Sequence, residues 1–278
     1  MTSHSHKKVV LLTGSELRHT FFRTYLGNQE GIEVARTYCE SQKGNIVERV
    51  KKAAGENEGR SKHLSMRAQT EKDFFEVFCQ EIKDQSNPVF ITKGDINLPA
   101  HVEDITALDP DLIISYGCSI IRSSLLEKFA GRFINIHLGL SPYYRGSGTN
   151  FWPFVENELQ FVGTTFMYID AGVDTGEIIH QIRAAMYPGD TLHQIGNRLI
   201  LHSTQTCATL IRQFDQLSPL SPISFDEEEA KYYRKKDFNE AAVDQCYQNF
   251  EQGIVDAYLK NKEKTDRAFP ILSNPAMA

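Results

Sequence analysis

Asn135 and His137 stand two residues apart at the end of an apolar run, Phe133-Ile134-Asn135-Ile136-His137, and Asp174 follows 37 residues after the histidine within Val173-Asp174-Thr175-Gly176. An amide, an imidazole and a carboxylate together can donate to a developing negative charge and can accept a proton. Side chains alternate along a strand, so Asn135 and His137 share one face and converge on one point. Ser141-Pro142 and Arg145-Gly146 then force a loop at the carboxyl end of that strand, where open α/β sheets place their sites. The plain alternative is a strand-end histidine and a turn-forming aspartate, and spacing alone does not separate the two.

The block Asn135-x-His137, the turn Ser141-Pro142-x-Tyr144-Arg145-Gly146, Gly163-Thr164-Thr165 and Asp174-x-Gly176-x-Ile178 resembles the signature of the folate-dependent formyltransferases. That superfamily includes glycinamide ribonucleotide, methionyl-tRNA and sugar N-formyltransferases. Its members move a formyl group from 10-formyltetrahydrofolate to an amine, and their catalytic Asn, His and Asp fall on Asn135, His137 and Asp174. The match runs from about residue 105 to residue 182. Where many members read His-x-Ser-Leu-Leu-Pro, this chain has His137-Leu138-Gly139-Leu140-Ser141-Pro142, a departure that bears on the acceptor. Thr13-Gly14-Ser15-Glu16 also lacks the glycine-rich phosphate cradle of the purine enzyme, which argues against a ribonucleotide acceptor.

The chemistry so implied passes through a tetrahedral intermediate with a negatively charged oxygen, at which donors must be aimed. Asn135 donates at any pH, whereas His137 donates strongly only in the right tautomer or when protonated. Asp174 is expected to stabilise the imidazolium and to take a proton from the attacking ammonium through water. The resemblance places the pterin of 10-formyltetrahydrofolate, the expected cosubstrate, against Tyr116, Gly117, Cys118 and Ile120 and the Asp170–Asp174 loop. Gly117 suits close backbone approach and the apolar flanks suit a flat ring. Beyond the histidine loop, Arg145 could meet a phosphate or carboxylate, Asn150 lies beside it, and Trp152 could stack on a base; a lone tryptophan opening an apolar helix is more often core. His19, His63, His101, His180, His193 and His202 have no partner at useful spacing and read as structural or surface residues. No metal is expected, because the chain lacks a His-Glu-x-x-His.

The net charge is -6, and no basic stripe of the kind a nucleic-acid binder shows is visible. Arg234-Lys235-Lys236 is offset by Asp226-Glu227-Glu228-Glu229 just upstream. Five scattered cysteines without Cys-x-x-Cys spacing read as reduced thiols. The apolar run at Val9 is too short for a signal peptide or a membrane span, so the expected location is cytoplasmic.

Elements that would position these residues follow from periodicity. Val9–Gly14 and Ile32–Cys39 read as strands, with a helix from Glu16 to Leu26 capped by Ser15 between them. Glu40–Arg60 reads as a mobile loop around a weak helix, Lys62–Lys83 as helix, Pro88–Ile96 as strand and Leu98–Leu108 as helix. Asp111–Gly117 is continuously apolar, as in a strand covered on both faces, and Ile120–Phe129 is its expected helix. Tyr143–Asn150 reads as loop, with a short helix beginning near Phe151. Phe161–Ile169 and Glu177–Met186 alternate as a hairpin carrying Asp174 on its connection, and Thr191–Leu217 is a long amphipathic helix. This order predicts an α/β fold: a mostly parallel, Rossmann-like formyltransferase sheet flanked by helices. Pro219 and Pro222 mark the boundary between a catalytic domain, 1–217, and a short C-terminal extension, 218–278, closed by one helix over Ala241–Lys260.

The expected activity is therefore N-formyl transfer to a small primary amine, most plausibly on a nucleotide-linked amino sugar, with no nucleic-acid or membrane partner and with a homodimer left open. Two alternatives stand beside it. Methionyl-tRNA or an amino acid derivative as acceptor is disfavoured by the acidic balance and by a tail too short for a tRNA-gripping barrel. A formyltetrahydrofolate hydrolase is disfavoured because such enzymes carry an amino-terminal regulatory domain, and the first strand here begins by Val9.

Overall fold

The computed structural model describes residues 6–41, 58–221 and 230–277. Most of the loop expected over Glu40–Arg60 and the Pro222 end of the expected boundary lie outside the described residues. The main sheet has seven strands in the order β3-β2-β1-β4-β5-β7-β8. β1 (Lys7–Gly14), β2 (Ile32–Ser41), β3 (Pro88–Thr92), β4 (Leu112–Tyr116) and β5 (Phe133–His137) run parallel. β7 (Gly163–Tyr168) and β8 (Ile178–Arg183) form an antiparallel hairpin, with β7 also antiparallel to β5. The expected mostly parallel α/β sheet is what the chain forms.

Alternate residues of the central strands feed two separate cores, which is why the runs are continuously apolar. Val9 and Leu11 of β1 and Leu112 and Ile114 of β4 join Phe22 and Leu26 of α1 (Leu17–Gly27) on one face. Val10, Leu12 and Ile113 join Tyr38, Val102 and Ile105 on the other, where α3 (Pro99–Leu108) packs. The long helices α2 (Glu58–Glu81) and α6 (Leu192–Arg212) lie beside α1 on the first face. Thr191 caps α6 by accepting from Gln194 N–H.

Three local expectations are corrected. Glu16 rather than Ser15 occupies the cap of α1, and its N–H donates to His19 Nδ1 at 3.2 Å. The helix expected over Ile120–Phe129 shrinks to α4 (Ser123–Leu126). Residues 118–122 before it are outside any helix, and two of their N–H groups bond elsewhere, Ser119 N–H to Glu40 Oε2 and Arg122 N–H to Asn97 Oδ1. The closing helix is two, α7 (Glu240–Glu251) and α8 (Ile254–Ala268), broken at Gly253 with φ +80°.

The stretch read as a loop over Tyr143–Asn150 contains β6 (Tyr144–Gly146), which precedes the short α5 (Trp152–Val155). β6 pairs in parallel with β9 (Lys231–Tyr233) as a separate two-stranded sheet. The tail also runs along the outer edge of β8: Gln181 N–H donates to Leu272 O at 2.7 Å, Leu220 N–H to Ile178 O at 2.8 Å, and Asn274 Nδ2 to Ile179 O at 3.1 Å.

Candidate active site

At the carboxyl ends of β4 and β5 the sheet opens into a cavity of about 520 Å³, within the size range of small-molecule sites. Asn135 and His137 reach it from β5, as their two-residue spacing requires. Asp174 reaches it from the β7–β8 connection, where it holds the left-handed conformation at φ +54°, unusual for a side chain larger than glycine. The three side chains meet at one carboxylate. Asp174 Oδ1 lies 3.3 Å from Asn135 Nδ2 and 3.3 Å from His137 Nδ1, and Asp174 Oδ2 accepts from Gly146 N–H at 3.0 Å.

Each member of the group has a further tether. His137 is 6 % exposed, and its Nε2 lies 2.9 Å from Tyr144 O, so both ring nitrogens face acceptors. Asn135 Oδ1 accepts from Ser115 Oγ at 3.2 Å, which aims the amide nitrogen at Asp174. Gly139 lets the turn after β5 pass: a Cβ there would stand 2.6 Å from His137 Nε2 and 2.8 Å from Thr149 Cβ.

One wall of the cavity is formed by residues 116–121, and residues 169–170 and 172–174 add to the lining. Gly117 sits at φ +71°, and a Cβ on it would stand 2.6 Å from His19 Nε2. Ile120 is 77 % exposed, giving the rim an apolar face. Burial pushes the Cys118 thiol up to about 11, which keeps it protonated and poor as a nucleophile. Asp170 folds its own loop, accepting from Gly172 N–H and Thr175 Oγ1.

The other end of the cavity was not legible as a site. It is lined by Arg18 of α1, by His63, Arg67 and Glu71 of α2, and by His193 and Asn197 of α6, while His19 stands between the two ends against Gly117. Four buried polar atoms of the lining residues have no protein partner: Tyr116 Oη, Asn150 Oδ1, His193 Nε2 and Asn197 Nδ2. Buried polar groups are rarely left unpaired, and these four belong to residues around one cavity. The positive charges here are matched: Arg18 bonds Glu71 at 2.6 Å and pairs with Glu16, and Arg67 bonds Glu71 at 3.1 Å. A signal existed in the sequence, because His63, Arg67 and Glu71 recur every four residues, as do His193 and Asn197, so each set shares a helix face.

Two residues expected at the acceptor stand elsewhere. Trp152 is 4 % exposed, stacks on Tyr233 with ring centroids 4.0 Å apart, and spends its N–H on Ser147 O; it does not line the cavity. Arg145 also lies outside the lining and gives its guanidinium to Val173 O at 3.2 and 3.3 Å. Asn150 does line it.

Burial pushes the His63 imidazole down to about 3, helped by His193 and Arg67, and pushes His193 down to about 4, helped by Arg67. Burial likewise holds His19 well below its ordinary value. All three rings are neutral at pH 7. Unfolded histidine titrates near 6.5, so between that pH and the folded values the unfolded chain binds more protons. The stabilisation from keeping these rings neutral is complete above about 6.5 and is lost as pH falls through 4 and then 3. Thermal melts should therefore show a fall in stability from pH 6.5 to pH 4 that is smaller, by roughly 1–3 kcal/mol, in a His63→Phe, His193→Leu double variant. An unchanged pH slope in that variant would show that other groups carry the acid lability.

Among the described residues no group of three or more His, Cys, Asp or Glu side chains is placed to hold a metal. A family model described as Formyl transferase matches residues 7–210. The chain belongs to the formyl transferase family. Among curated proteins it is similar to the methionyl-tRNA formyltransferase of Desulforamulus reducens, 31 % identical over 140 residues that cover 46 % of this chain and 44 % of that protein. A second, from Geobacter metallireducens, is 34 % identical over 113 residues, 40 % of this chain and 36 % of that protein. The aligned regions thus span less than half the length of these relatives. Among solved structures, a sugar N-formyltransferase from a Shewanella species is similar with a TM-score of 0.55 at 15 % identity, covering 87 % of each chain. Glycinamide ribonucleotide transformylase 1 from Symbiobacterium toebii is similar with a TM-score of 0.53 at 19 % identity, covering 79 % of this chain and 96 % of that one. At these identities the likeness is one of fold. No helix among the described residues is long and apolar enough to cross a membrane.

Proposed function

We propose that this member of the family is a cytoplasmic N-formyltransferase that moves a formyl group from 10-formyltetrahydrofolate to the primary amine of a nucleotide-linked amino sugar. The observation that carries this reading is the sharing of one carboxylate by Asn135 and His137 between two differently built ends of a single cavity. The end formed by residues 116–121 and 169–174 fits the folate: Ile120 offers exposed apolar cover for a flat ring. When bound there, 10-formyltetrahydrofolate supplies an activated formyl carbon.

The residues then divide the work. One amide hydrogen of Asn135 is held by Asp174, and the other is available to the formyl oxygen as negative charge develops there. His137 faces an acceptor with each ring nitrogen, which fixes the orientation of the ring beside that oxygen. A carboxylate offers about four acceptor positions. Asp174 has three engaged, by Asn135, His137 and Gly146, which leaves room for one more proton, that of the attacking ammonium. Asn150, His193 and Asn197, which carry three of the unpaired atoms, would bind the acceptor. They mix donors and acceptors in a neutral lining, which suits hydroxyl and amide groups of a sugar.

Formyl transfer assayed with a panel of nucleotide-linked amino sugars and, separately, methionyl-tRNA tests the reading. The expected result is a sugar product 28 mass units heavier with release of tetrahydrofolate. Transfer to methionyl-tRNA alone would replace the acceptor, formate without a heavier product would mean hydrolysis, and no consumption at all would remove the activity. Asn197→Ala should raise the acceptor KM about 5- to 30-fold, the range for one lost buried hydrogen bond, and leave the folate KM within about twofold. An equal rise in both constants would place Asn197 outside the acceptor site.

A further inference from the structure

Two of the three residues of the short strand β6 touch the catalytic group, and the third holds the residue beside Asp174. Tyr144 O lies 2.9 Å from His137 Nε2, the Arg145 guanidinium bonds Val173 O beside Asp174, and Gly146 N–H donates to Asp174 Oδ2 at 3.0 Å. A three-residue strand between turns has little stability of its own. Its strand partner among the described residues is β9 of the tail, in the register Tyr144 with Lys231, Arg145 with Tyr232 and Gly146 with Tyr233. Lys231 N–H donates to Tyr143 O at 2.9 Å and Ser147 N–H to Tyr233 O at 2.8 Å, so the pairing brackets β6 at both ends.

Side chains lock the same register. The Tyr233 ring lies flat on Trp152, 5° from parallel, and its hydroxyl donates to Glu156 at 2.9 Å. Lys231 Nζ pairs with Glu158 at 2.8 Å and sits over the Tyr144 ring. The Tyr144 hydroxyl bonds Glu158 as well. This accounts for the placement of Trp152 away from the cavity: it is the floor on which the tail is clamped.

We propose that the tail strand Lys231–Tyr233 is a positioning element of the active site, with Tyr233 as its key residue, because it fixes the edge of β6 that holds His137 and Asp174 in place. Neither Tyr233 nor Lys231 lines the cavity, so their loss should act on the rate rather than on substrate binding. A displacement of about 1 Å in reacting groups can cost up to a hundredfold in rate.

The kinetic part of the test rests on the formyl-transfer reading, and a second readout does not. Tyr233→Ala should lower kcat about 10- to 100-fold with both KM values within about threefold, and Tyr233→Phe, which keeps the stack, should restore most of the rate. In the free protein the imidazole ¹⁵N signal of His137 Nε2 should move in Tyr233→Ala and not in Tyr233→Phe. Should Tyr233→Ala fail to fold, Lys231→Ala should show the same pattern more weakly. An unmoved His137 signal together with a kcat within twofold of the parent in a folded variant would overturn the proposal. If the parent protein transfers no formyl group, the ¹⁵N result alone decides, since it reports the link from tail to histidine whatever the reaction.

Discussion

Asp174→Asn is expected to lower kcat for formyl transfer by roughly 10²- to 10⁴-fold, the span usually covered by a positioned acid or base, while the protein stays folded. Asparagine is the informative replacement because it tolerates the left-handed backbone at this position, whereas alanine at φ +54° would add strain. The amide keeps the volume and loses the charge. It presents one oxygen and one NH₂ where three donors converge: Asn135, His137 and Gly146 N–H. At least one of those donors must then face another donor. Single-turnover rates, with circular dichroism as a check on folding, measure the effect. A rate within about fivefold of the parent would take Asp174 out of the chemistry.

Gly176→Ala should damage both stability and rate through backbone alone. A Cβ at Gly176 falls on the carbonyl oxygen of Tyr168, with the Tyr168 carbonyl carbon only 2.8 Å away. Both atoms are backbone in the β7–β8 hairpin, where Tyr168 N–H already bonds Glu177 O at 2.9 Å, so neither can rotate aside as a side chain would. Overpacking that forces a backbone shift costs about 1–3 kcal/mol, and in a protein of this size each kcal/mol lowers Tm by roughly 2–4 °C. A loss of about 3–10 °C is therefore expected on a thermal melt. Because Gly176 is two residues from Asp174, any shift passes directly to the carboxylate. A variant melting within about 1 °C of the parent would show that the hairpin relaxes freely.

The parts of the fold that were legible in the sequence are those whose burial imposes a period. Val9–Gly14 and Asp111–Gly117 are apolar on both faces because both faces are covered, and the strands of the Phe161–Met186 hairpin are buried almost throughout as well, with polar positions such as Thr165 and Gln181 bonded to each other. The two-residue spacing put Asn135 and His137 on one face, and the resemblance to the formyltransferases added Asp174 to them. What escaped is what tertiary contact decides. Three residues of β6 and three of β9 carry no period, and their pairing bridges 87 positions. The Ile120–Phe129 segment has helical composition, yet its start is tied to distant loops, Arg122 N–H to Asn97 and the preceding Ser119 N–H to Glu40. The far end of the cavity was hidden for a related reason: α2 and α6 each display a polar stripe, and only their packing side by side turns two stripes into one lined chamber.

The tail that runs along β8 also sets how sheets of neighbouring molecules can meet. An unpaired strand edge is adhesive, since its N–H and C=O groups can pair with any other edge. A sheet with two bare edges can grow without limit, molecule after molecule. Here Leu220, Leu272 and Asn274 occupy the backbone groups of β8, while at the other margin no strand among the described residues lies beyond β3, where Phe90 is 63 % exposed. Among the described residues one edge is covered and one is bare. Strand pairing through a single bare edge joins two chains and no more.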